Sequence, residues 1–272
     1  AAAAGAGAAE PDETPEQKSV REAAELFPAN VNVAVALSLA GIGPDATQFE
    51  VWADPGVERN THVVRVEADE SSFDKGDFGI RWFADGELNV SVNCLDRHLE
   101  TRGDQPAIVF EGDEPDEGRT LTYRELHWQV CRFANVLKAN GIGKGDRVIL
   151  YMPMVPEAAI AMLACARIGA VHSVVFGGFA PQELATRIDD AKPVIIVSAS
   201  CGIEPGRIVE YKPMLDRAIE LASHKPSACL ILQRPMNRAI MQVGRDHDYA
   251  EAVDKAAPAD CVPVKANDPQ YI

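Results

Sequence analysis

The hydrophobic pattern is clearest between residues 145 and 179, where two short apolar runs flank a longer one. Arg147–Tyr151 follows a Gly-Asp turn and is rich in β-branched residues, as in a strand that is buried on both faces. Glu157–Ile168 is almost wholly Ala, Met, Leu and Ile, with proline before it and glycine after it, which predicts a buried helix. Val171–Phe176 is a second apolar strand. A strand, helix and strand of this length predict a parallel crossover.

Helices and strands continue to alternate along this part of the chain. Thr122 and Glu125 form a capping-box pattern, which starts a helix that runs to Gly141. The pattern predicts further helices at Pro181–Ala191 and Met214–Ser223, and further strands at Val194–Ser198 and Cys229–Gln233. Such alternation predicts an α/β fold with a mostly parallel sheet and flanking helices.

The first 70 residues have a different pattern. Residues 1–18 form an Ala, Gly and acidic tail, which we expect to be disordered. Residues 19–70 contain two predicted helices and two segments of alternating polar and apolar residues, which favour half-exposed strands. The helices are predicted at Val20–Phe27 and Val31–Ile42, and the strands at Thr47–Ala53 and His62–Glu67. The chain therefore consists of a tail, a small α+β segment and an α/β region from residue 71 to residue 272.

Composition narrows the possible functions. The formal net charge of −15 argues against binding to nucleic acid or to an anionic membrane surface. Charges or prolines interrupt every apolar run before the 18 or so residues that span a bilayer, so we expect no membrane segment. The six cysteines contain no CxxC pair and are predicted to be buried, reduced thiols, as in a cytoplasmic protein. No cysteine or histidine spacing predicts a metal site, and His172 is predicted to be a hydrogen-bonded core residue.

The α/β region resembles the acetyl- and propionyl-CoA synthetases of the AMP-forming acyl-CoA synthetase superfamily. The resemblance rests on SFDKGDFGIRWFADGELNVSVNCLDRHLETRGDQPAI, on LTYRELHWQVCRFANVLKANGIGKGD and on the 145–179 segment, and it covers residues from about 71 to 272. It implies a reaction of acetate or propionate with ATP, Mg²⁺ and CoA that gives acyl-CoA, AMP and pyrophosphate. It also implies that the phosphate-binding loop follows Ile272, so we expect the sheet to be incomplete and the chain as given to be inactive.

The resemblance assigns several residues to the CoA side of such a site. Within CGIEPGRIVEYKP, Arg207 matches one of two arginines that approach the 3′-phosphate of CoA, whereas Glu204 replaces the other. The Glu204-Pro205-Gly206-Arg207 version is similar to the propionyl-CoA synthetase branch. Gly177 and Gly178 match a loop beside the pantetheine path, where small residues let a thin chain pass. The alternative is that this glycine pair only turns the strand.

Residues 19–70 resemble a different family, the C-terminal domain of L-aspartate dehydrogenase. The segment EAAELFPANVNVAVALSLAGIGPDATQFEVWADPGVERNTHVVRVEAD carries the resemblance. It implies that Asn32 contacts NAD(P) and that His62 is the catalytic histidine. No GxGxxG follows a strand in this chain, so we expect both positions to be vestigial. Asn32 is equally well explained as a residue that starts a helix.

Three hypotheses for function remain open at this stage. The first is a fused piece of a short-chain acyl-CoA synthetase, with acetate or propionate as substrate. The second is a non-catalytic interaction module, and the third is a remnant of an NAD(P)-dependent aspartate dehydrogenase. The oligomeric state is not predicted.

Overall fold

The computed structural model describes residues 49–51, 64–68, 80–81, 86–112, 118–204 and 206–272. Two compact units are present. The first comprises Ala1–Gly86 with Lys265–Asn267, and the second comprises Glu87–Val264 with Asp268–Ile272. None of the helices among the described residues is long and apolar enough to span a bilayer.

The first unit contains a three-stranded antiparallel sheet. Its strands are β1 (Phe49–Val51), β2 (Val64–Ala68) and β3 (Ile80–Arg81), in the order β1-β2-β3. β1 and β2 pair with Phe49 opposite Val66, which confirms the two strands predicted in this segment. The predicted tail and the two predicted helices lie outside the described residues, as do Asn32 and His62.

The second unit contains seven helices and nine strands among its described residues. In chain order they are α1 (Val90–Cys94), α2 (Leu99–Arg102), β4 (Pro106–Phe110), β5 (Arg119–Thr122), α3 (Tyr123–Ala139), β6 (Arg147–Met152), α4 (Pro156–Arg167), β7 (Val171–Phe176), α5 (Pro181–Ala191), β8 (Ile195–Ala199), β9 (Cys201–Glu204), β10 (Arg207–Glu210), α6 (Tyr211–Leu221), β11 (Ala228–Leu232), β12 (Asp246–Asp248) and α7 (Tyr249–Lys255). A 3-10 turn at Asp96–His98 separates α1 from α2.

Five of these strands form the central sheet, in the order β12-β11-β8-β6-β7. Every neighbouring pair in this sheet is parallel. Residues 270–272 extend the sheet beside β7, where the His172 N–H donates to the Gln270 carbonyl at 3.0 Å. The predicted α/β class with a parallel sheet and flanking helices is therefore confirmed.

The interior strand β6 contributes to the packing on both faces of the sheet. Val148, Leu150 and Met152 belong to a core formed with α3, α4 and α7. Ile149 and Tyr151 belong to a second core formed with α5 and α6. Because both faces of β6 are covered by helices, successive side chains of the strand must be apolar, and this run of apolar residues is what predicts the strand.

Local signals predict most element boundaries. The capping box is confirmed, because the Glu125 N–H donates to Thr122 Oγ1 at 3.2 Å and the Thr122 N–H donates to the Glu125 carboxylate at 2.8 Å. The helix α5 has the predicted bounds, and α6 begins three residues before the predicted Met214. The sequence pattern does not predict the hairpins β4–β5 and β9–β10, the strand β12 or the helix α7.

Two predictions about single side chains need correction. His172 is buried, but its Nδ1 has no hydrogen-bond partner among the described residues, so it is not a fully hydrogen-bonded core residue. Burial lowers the pKa of His172 because the charged imidazolium loses its hydration. Four cysteines are buried, as predicted, whereas Cys94 is exposed and Cys261 is partly exposed; all six are free thiols.

A buried charge network connects α6 to β12. The Asp246 side chain is fully buried and lies 2.9 Å from Lys212 Nζ and 2.7 Å from Arg245 Nε. Asp216 accepts from the same two cations. Burial raises the pKa of Asp246, but the hydrogen bonds from Arg245 and Lys212 outweigh this effect and hold the pKa below its usual value of 3.8.

We expect Asp246→Asn to lower the free energy of unfolding by about 3 kcal/mol, because it leaves two buried cations with one carboxylate partner. A carboxyl whose pKa is depressed on folding stabilises the fold above its unfolded pKa, and this contribution declines as the pH falls through the folded pKa. The variant should therefore lose less stability than the parent protein between pH 5 and pH 3. Urea unfolding at several pH values measures this. The control is Glu220→Gln at an exposed ion pair, and an equal effect of both substitutions contradicts the prediction.

Candidate functional site

The carboxyl ends of β6 and β7 open into a cavity of about 320 Å³, here called the glycine-pair cavity. In parallel sheets, ligands bind outside these ends of the strands. Its lining comes from the ends of β4, β6 and β7, from the β9–β10 hairpin, from the first residue of α6 and from the loop after β11. The lining residues are Phe110, Glu111, Met152, Pro153, Met154, Phe176, Gly177, Gly178, Ile203, Glu204, Tyr211 and Arg234.

The structure brings three of the predicted site residues together. Gly177, Gly178 and Glu204 line the same cavity. Gly206 and Arg207 lie at the turn of the adjoining hairpin, where Arg207 pairs in register with Glu204. Gly206 has a φ of +78°, a conformation in which glycine is favoured. Pro205 lies outside the described residues.

The packing of Tyr211 explains one glycine of the pair. A Cβ atom on Gly177 would lie 2.2 Å from the Tyr211 hydroxyl oxygen, and one on Gly202 would lie 2.4 Å from the same atom. Tyr211 is buried and packs against Tyr151 with ring centroids 5.1 Å apart. Gly177 therefore has a structural role beside Tyr211 that is independent of any ligand.

Gly178 faces a different part of the cavity. A Cβ atom there would lie 2.9 Å from Phe176 Cε1 and 3.7 Å from Glu204 Oε1. The space beside Gly178 is therefore bounded by an aromatic ring on one side and by a carboxylate on the other. A side chain at this position would narrow the cavity.

Glu204 and Arg207 form an ion pair at the rim. Both Arg207 Nε, at 2.9 Å, and Nη2, at 2.5 Å, donate to Glu204 Oε2. The Arg207 side chain is 70% exposed and that of Glu204 is 42% exposed. Exposed ion pairs contribute little to stability, so a more highly charged anion can compete with Glu204 for the Arg207 guanidinium.

A second cavity, of about 310 Å³, lies beside the first at the amino end of α4 and is here called the α4-end cavity. Arg234 lines both cavities. The other residues that line the α4-end cavity come from β4, β5, the start of α4, the end of β11 and the segment after it. They are Phe110, Arg119, Val155, Pro156, Glu157, Leu232, Gln233, Pro235 and Met236.

Sequence reasoning misses two residues of this region. Tyr211 begins α6 directly after the hairpin, and nothing in its local sequence indicates that it packs over two glycines. Burial raises the pKa of Tyr211, and the neighbouring Glu204 carboxylate raises it further, so the phenol is neutral at pH 7. Arg234 is detectable in principle, because it closely follows a buried parallel strand at the edge where ligands bind.

A histidine and a cysteine approach each other elsewhere in this unit. His127 Nε2 lies 3.4 Å from Cys131 Sγ and 3.2 Å from Asp96 Oδ1, while Arg167 donates to both oxygens of Asp96. Burial raises the pKa of Cys131, so the sulfur is held as a thiol and not as a nucleophilic thiolate. This cluster joins α3 to α4 through Asp96. Among the described residues, no group of three His, Cys, Asp or Glu side chains is placed to hold a metal ion.

Comparisons with known proteins show which families this sequence matches. The family model described as AMP-binding enzyme matches residues 95–272, and the model described as Aspartate dehydrogenase, C-terminal, matches residues 17–76. The acetyl-coenzyme A synthetase of Methylobacterium radiotolerans is 45% identical over 258 residues, which cover 94% of this chain and 39% of that protein. That of Yersinia pseudotuberculosis is 51% identical over 226 residues, which cover 82% of this chain and 34% of that protein. The chain thus spans little more than a third of these relatives.

A solved structure supports the fold. The crystal structure of Brucella canis acyl-CoA synthetase matches with a TM-score of 0.58 and 23% identity, over 69% of this chain and 31% of that one. At this identity the likeness concerns the fold alone. The family model for AMP-binding enzymes, by contrast, covers well over half of the sequence. The chain therefore belongs to the family of AMP-binding enzymes, and a segment that matches the C-terminal domain of aspartate dehydrogenase precedes the matched region.

Proposed function

We propose that this chain supplies the CoA-binding side of a short-chain acyl-CoA synthetase. Such an enzyme joins acetate or propionate to CoA, uses ATP with Mg²⁺, and releases AMP and pyrophosphate. The observation that carries the proposal is the glycine-pair cavity, where Gly177, Gly178 and Glu204 meet at the carboxyl edge of a parallel sheet. The similarity to acetyl-coenzyme A synthetases supports the same assignment.

The shape and polarity of the cavity suit the pantetheine arm of CoA. The side chains of Met152, Phe176 and Ile203 provide apolar walls, and Gly178 adds no side chain to the passage. A long, thin and mostly apolar chain loses little hydration when it enters such a passage. The thiol at the end of that chain accepts the acyl group in the second step of the reaction.

The rim of the cavity suits the phosphate end of CoA. Arg207 presents a planar guanidinium that is exposed and held in place by Glu204. Guanidinium groups bind phosphate oxygens in pairs, and a 3′-phosphate dianion attracts the cation more strongly than one carboxylate does. Glu204 also repels the phosphate, so the balance between these two side chains sets the affinity for CoA. We propose that the carboxylate substrate is acetate or propionate.

The segment that matches aspartate dehydrogenase raises a second candidate function, which we propose has been lost. Residues 17–76 match the model of that family and include Asn32 and His62. The resemblance implies that Asn32 contacts NAD(P) and that His62 is the catalytic histidine. We propose that both are vestigial, since the given sequence contains no GxGxxG fingerprint for dinucleotide binding.

Arg207→Ala should weaken CoA binding about tenfold and leave the binding of dephospho-CoA, which lacks the 3′-phosphate, unchanged. Glu204→Arg should tighten the binding of CoA, because it replaces repulsion with a second cation. Isothermal titration of the 272-residue chain with both ligands measures these affinities. Arg217→Ala, at another exposed ion pair, is the matched control. Equal losses for CoA and dephospho-CoA contradict the assignment of Arg207.

A chimaera tests the enzymatic reaction as a whole. Residues 95–272 of this chain replace the matching segment of the Yersinia pseudotuberculosis enzyme, which is 51% identical over the aligned region. The chimaera should form acyl-CoA from acetate or propionate, and Arg207→Ala should raise KM for CoA while sparing carboxylate-dependent ATP–pyrophosphate exchange. Coupled assays with each acid give kcat and KM. A folded chimaera that adenylates the acid without using CoA would favour the interaction-module hypothesis.

The dehydrogenase-like segment should show no catalysis. With L-aspartate and NAD⁺ or NADP⁺, the chain should give no increase in absorbance at the wavelength of the reduced cofactor. Reduced cofactor that forms with the parent chain, and no longer forms after His62→Ala, would show that the segment is active.

A further inference from the structure

Two buried tyrosines pack against each other beside the glycine-pair cavity and are here called the tyrosine pair. Tyr151 belongs to β6, Tyr211 is the first residue of α6, and their ring centroids are 5.1 Å apart. Both belong to the core that α5 and α6 form on one face of the sheet. Tyr211 also lines the cavity, so this core continues directly into the candidate site.

Tyr151 holds the turn that follows β7. The Phe179 N–H donates to the Phe176 carbonyl at 3.2 Å, so Phe176–Phe179 is a hydrogen-bonded turn with Gly177 and Gly178 as its central residues. The Tyr151 hydroxyl donates to the Phe179 carbonyl at 3.1 Å. Burial raises the pKa of Tyr151, so the phenol keeps the proton that this hydrogen bond needs. The strand β6 therefore fixes one wall of the cavity through Tyr151.

Tyr211 holds the base of the β9–β10 hairpin. Its N–H donates to the Ser200 carbonyl at 3.1 Å, which joins the residue before β9 to the residue after β10. Its ring covers Gly202 of β9, since a Cβ atom there would lie 2.6 Å from Tyr211 Cζ. Glu204 stands at the turn of the same hairpin and lines the cavity. Tyr211 therefore fixes a second wall.

The ring of Tyr211 also lies against the glycine turn, so it relates the two walls to each other. A Cβ atom on Gly177 would overlap Cε2, Cζ and the hydroxyl oxygen of Tyr211. Gly177 does not have the positive φ that favours glycine. The close approach of Tyr211, and not the backbone of the turn, thus explains why this position has no side chain.

We propose that Tyr151 and Tyr211 are positioning residues for CoA, which set the separation of the Phe176–Phe179 turn and the β9–β10 hairpin. This inference rests on the proposed function, because the space beside Gly178 is where we place the pantetheine arm. Contacts along a narrow passage weaken steeply when one wall shifts, so the affinity for that arm depends on the core behind the walls.

Titration of the full chain with CoA and with dephospho-CoA tests the role of Tyr151. Tyr151→Phe keeps the ring and removes the hydrogen bond to the Phe179 carbonyl. It should weaken the binding of both ligands equally, by about fivefold, because both carry the pantetheine arm that the turn borders. Arg207→Ala, by contrast, should weaken the binding of CoA alone.

The matched control is Tyr249→Phe. Tyr249 is also buried, but it packs against Phe133 in the core on the other face of the sheet. This substitution should leave both affinities unchanged. In the chimaera with the Yersinia pseudotuberculosis enzyme, Tyr151→Phe should raise KM for CoA and spare carboxylate-dependent ATP–pyrophosphate exchange, a split that a general loss of structure would not produce.

A double substitution tests the contact between Tyr211 and Gly177. Gly177→Ala should weaken CoA binding at least tenfold, because the added methyl group overlaps the Tyr211 ring. Leucine lacks the three overlapped atoms, so Tyr211→Leu should weaken CoA binding in the parent chain and yet restore part of the affinity of Gly177→Ala. Losses that simply add in the double variant would overturn the role assigned to Tyr211.

Hydrogen exchange in the ligand-free chain separates this inference from the proposed function. Tyr151→Phe should speed exchange of the Phe179 amide, whereas Tyr249→Phe should not. Unchanged exchange at Phe179, or unchanged affinity in a Tyr151→Phe chain whose parent binds CoA, would overturn the inference. Faster exchange at Phe179 in a chain that does not bind CoA would overturn the proposed function and support the link between Tyr151 and the turn.

Discussion

The two-sided burial of β6 is the constraint on which the rest of this unit depends. The residues from Val148 to Tyr151 are at most 1% exposed, and the strand pairs with β7 on one edge and with β8 on the other. Both edges of its backbone are therefore hydrogen-bonded, and each of its faces belongs to a different core. Helices can pack on both sides only because the buried positions of β6 are all apolar. This arrangement also fixes where β6 ends, at Met152 beside the glycine-pair cavity.

Tyr211 connects that framework to the candidate site. Its ring occupies the space that side chains at Gly177 and Gly202 would need, so the end of β7, the start of β9 and the start of α6 are packed as one group. The β9–β10 hairpin lies between two of these points, and Glu204 and Arg207 stand at its turn. A larger residue at Gly177 would displace Tyr211 before it met any ligand. A side chain at Gly177 would thus also disturb the packing at the start of α6, directly after the hairpin.

Much of the fold is predictable because its signals are local. Thr122 with Glu125 marks the start of α3, and proline marks the first turns of α4 and α5. The strand β12 escapes prediction because its sequence, Asp246-His247-Asp248, is polar; it pairs with β11, and Asp246 is buried through Lys212 and Arg245 rather than through hydrophobicity. The segment NCLDRHLE does not form one continuous helix, since Leu95 is buried and Asp96 binds Arg167 of α4.

The candidate site is predictable only in part, because only some of its residues belong to segments with a local sequence signal. Gly177, Gly178 and Glu204 belong to recognisable segments, and the structure places them around one cavity. Tyr211 packs over two glycines that are distant in sequence, so no spacing rule indicates its role. Arg234 is indicated only by its place after a buried parallel strand.

The overall charge of the chain shows why local environment decides its chemistry. A net charge of −15 predicts weak attraction for anions at long range. Salt screens exposed charges beyond about 8 Å, however, so hydrated acidic side chains at a distance have little effect on a ligand at the sheet edge. Arg234 is 8% exposed, so water and salt weaken its field far less. Cations at the edge of the sheet, such as Arg207 and Arg234, therefore act on an anion there more strongly than distant surface carboxylates do.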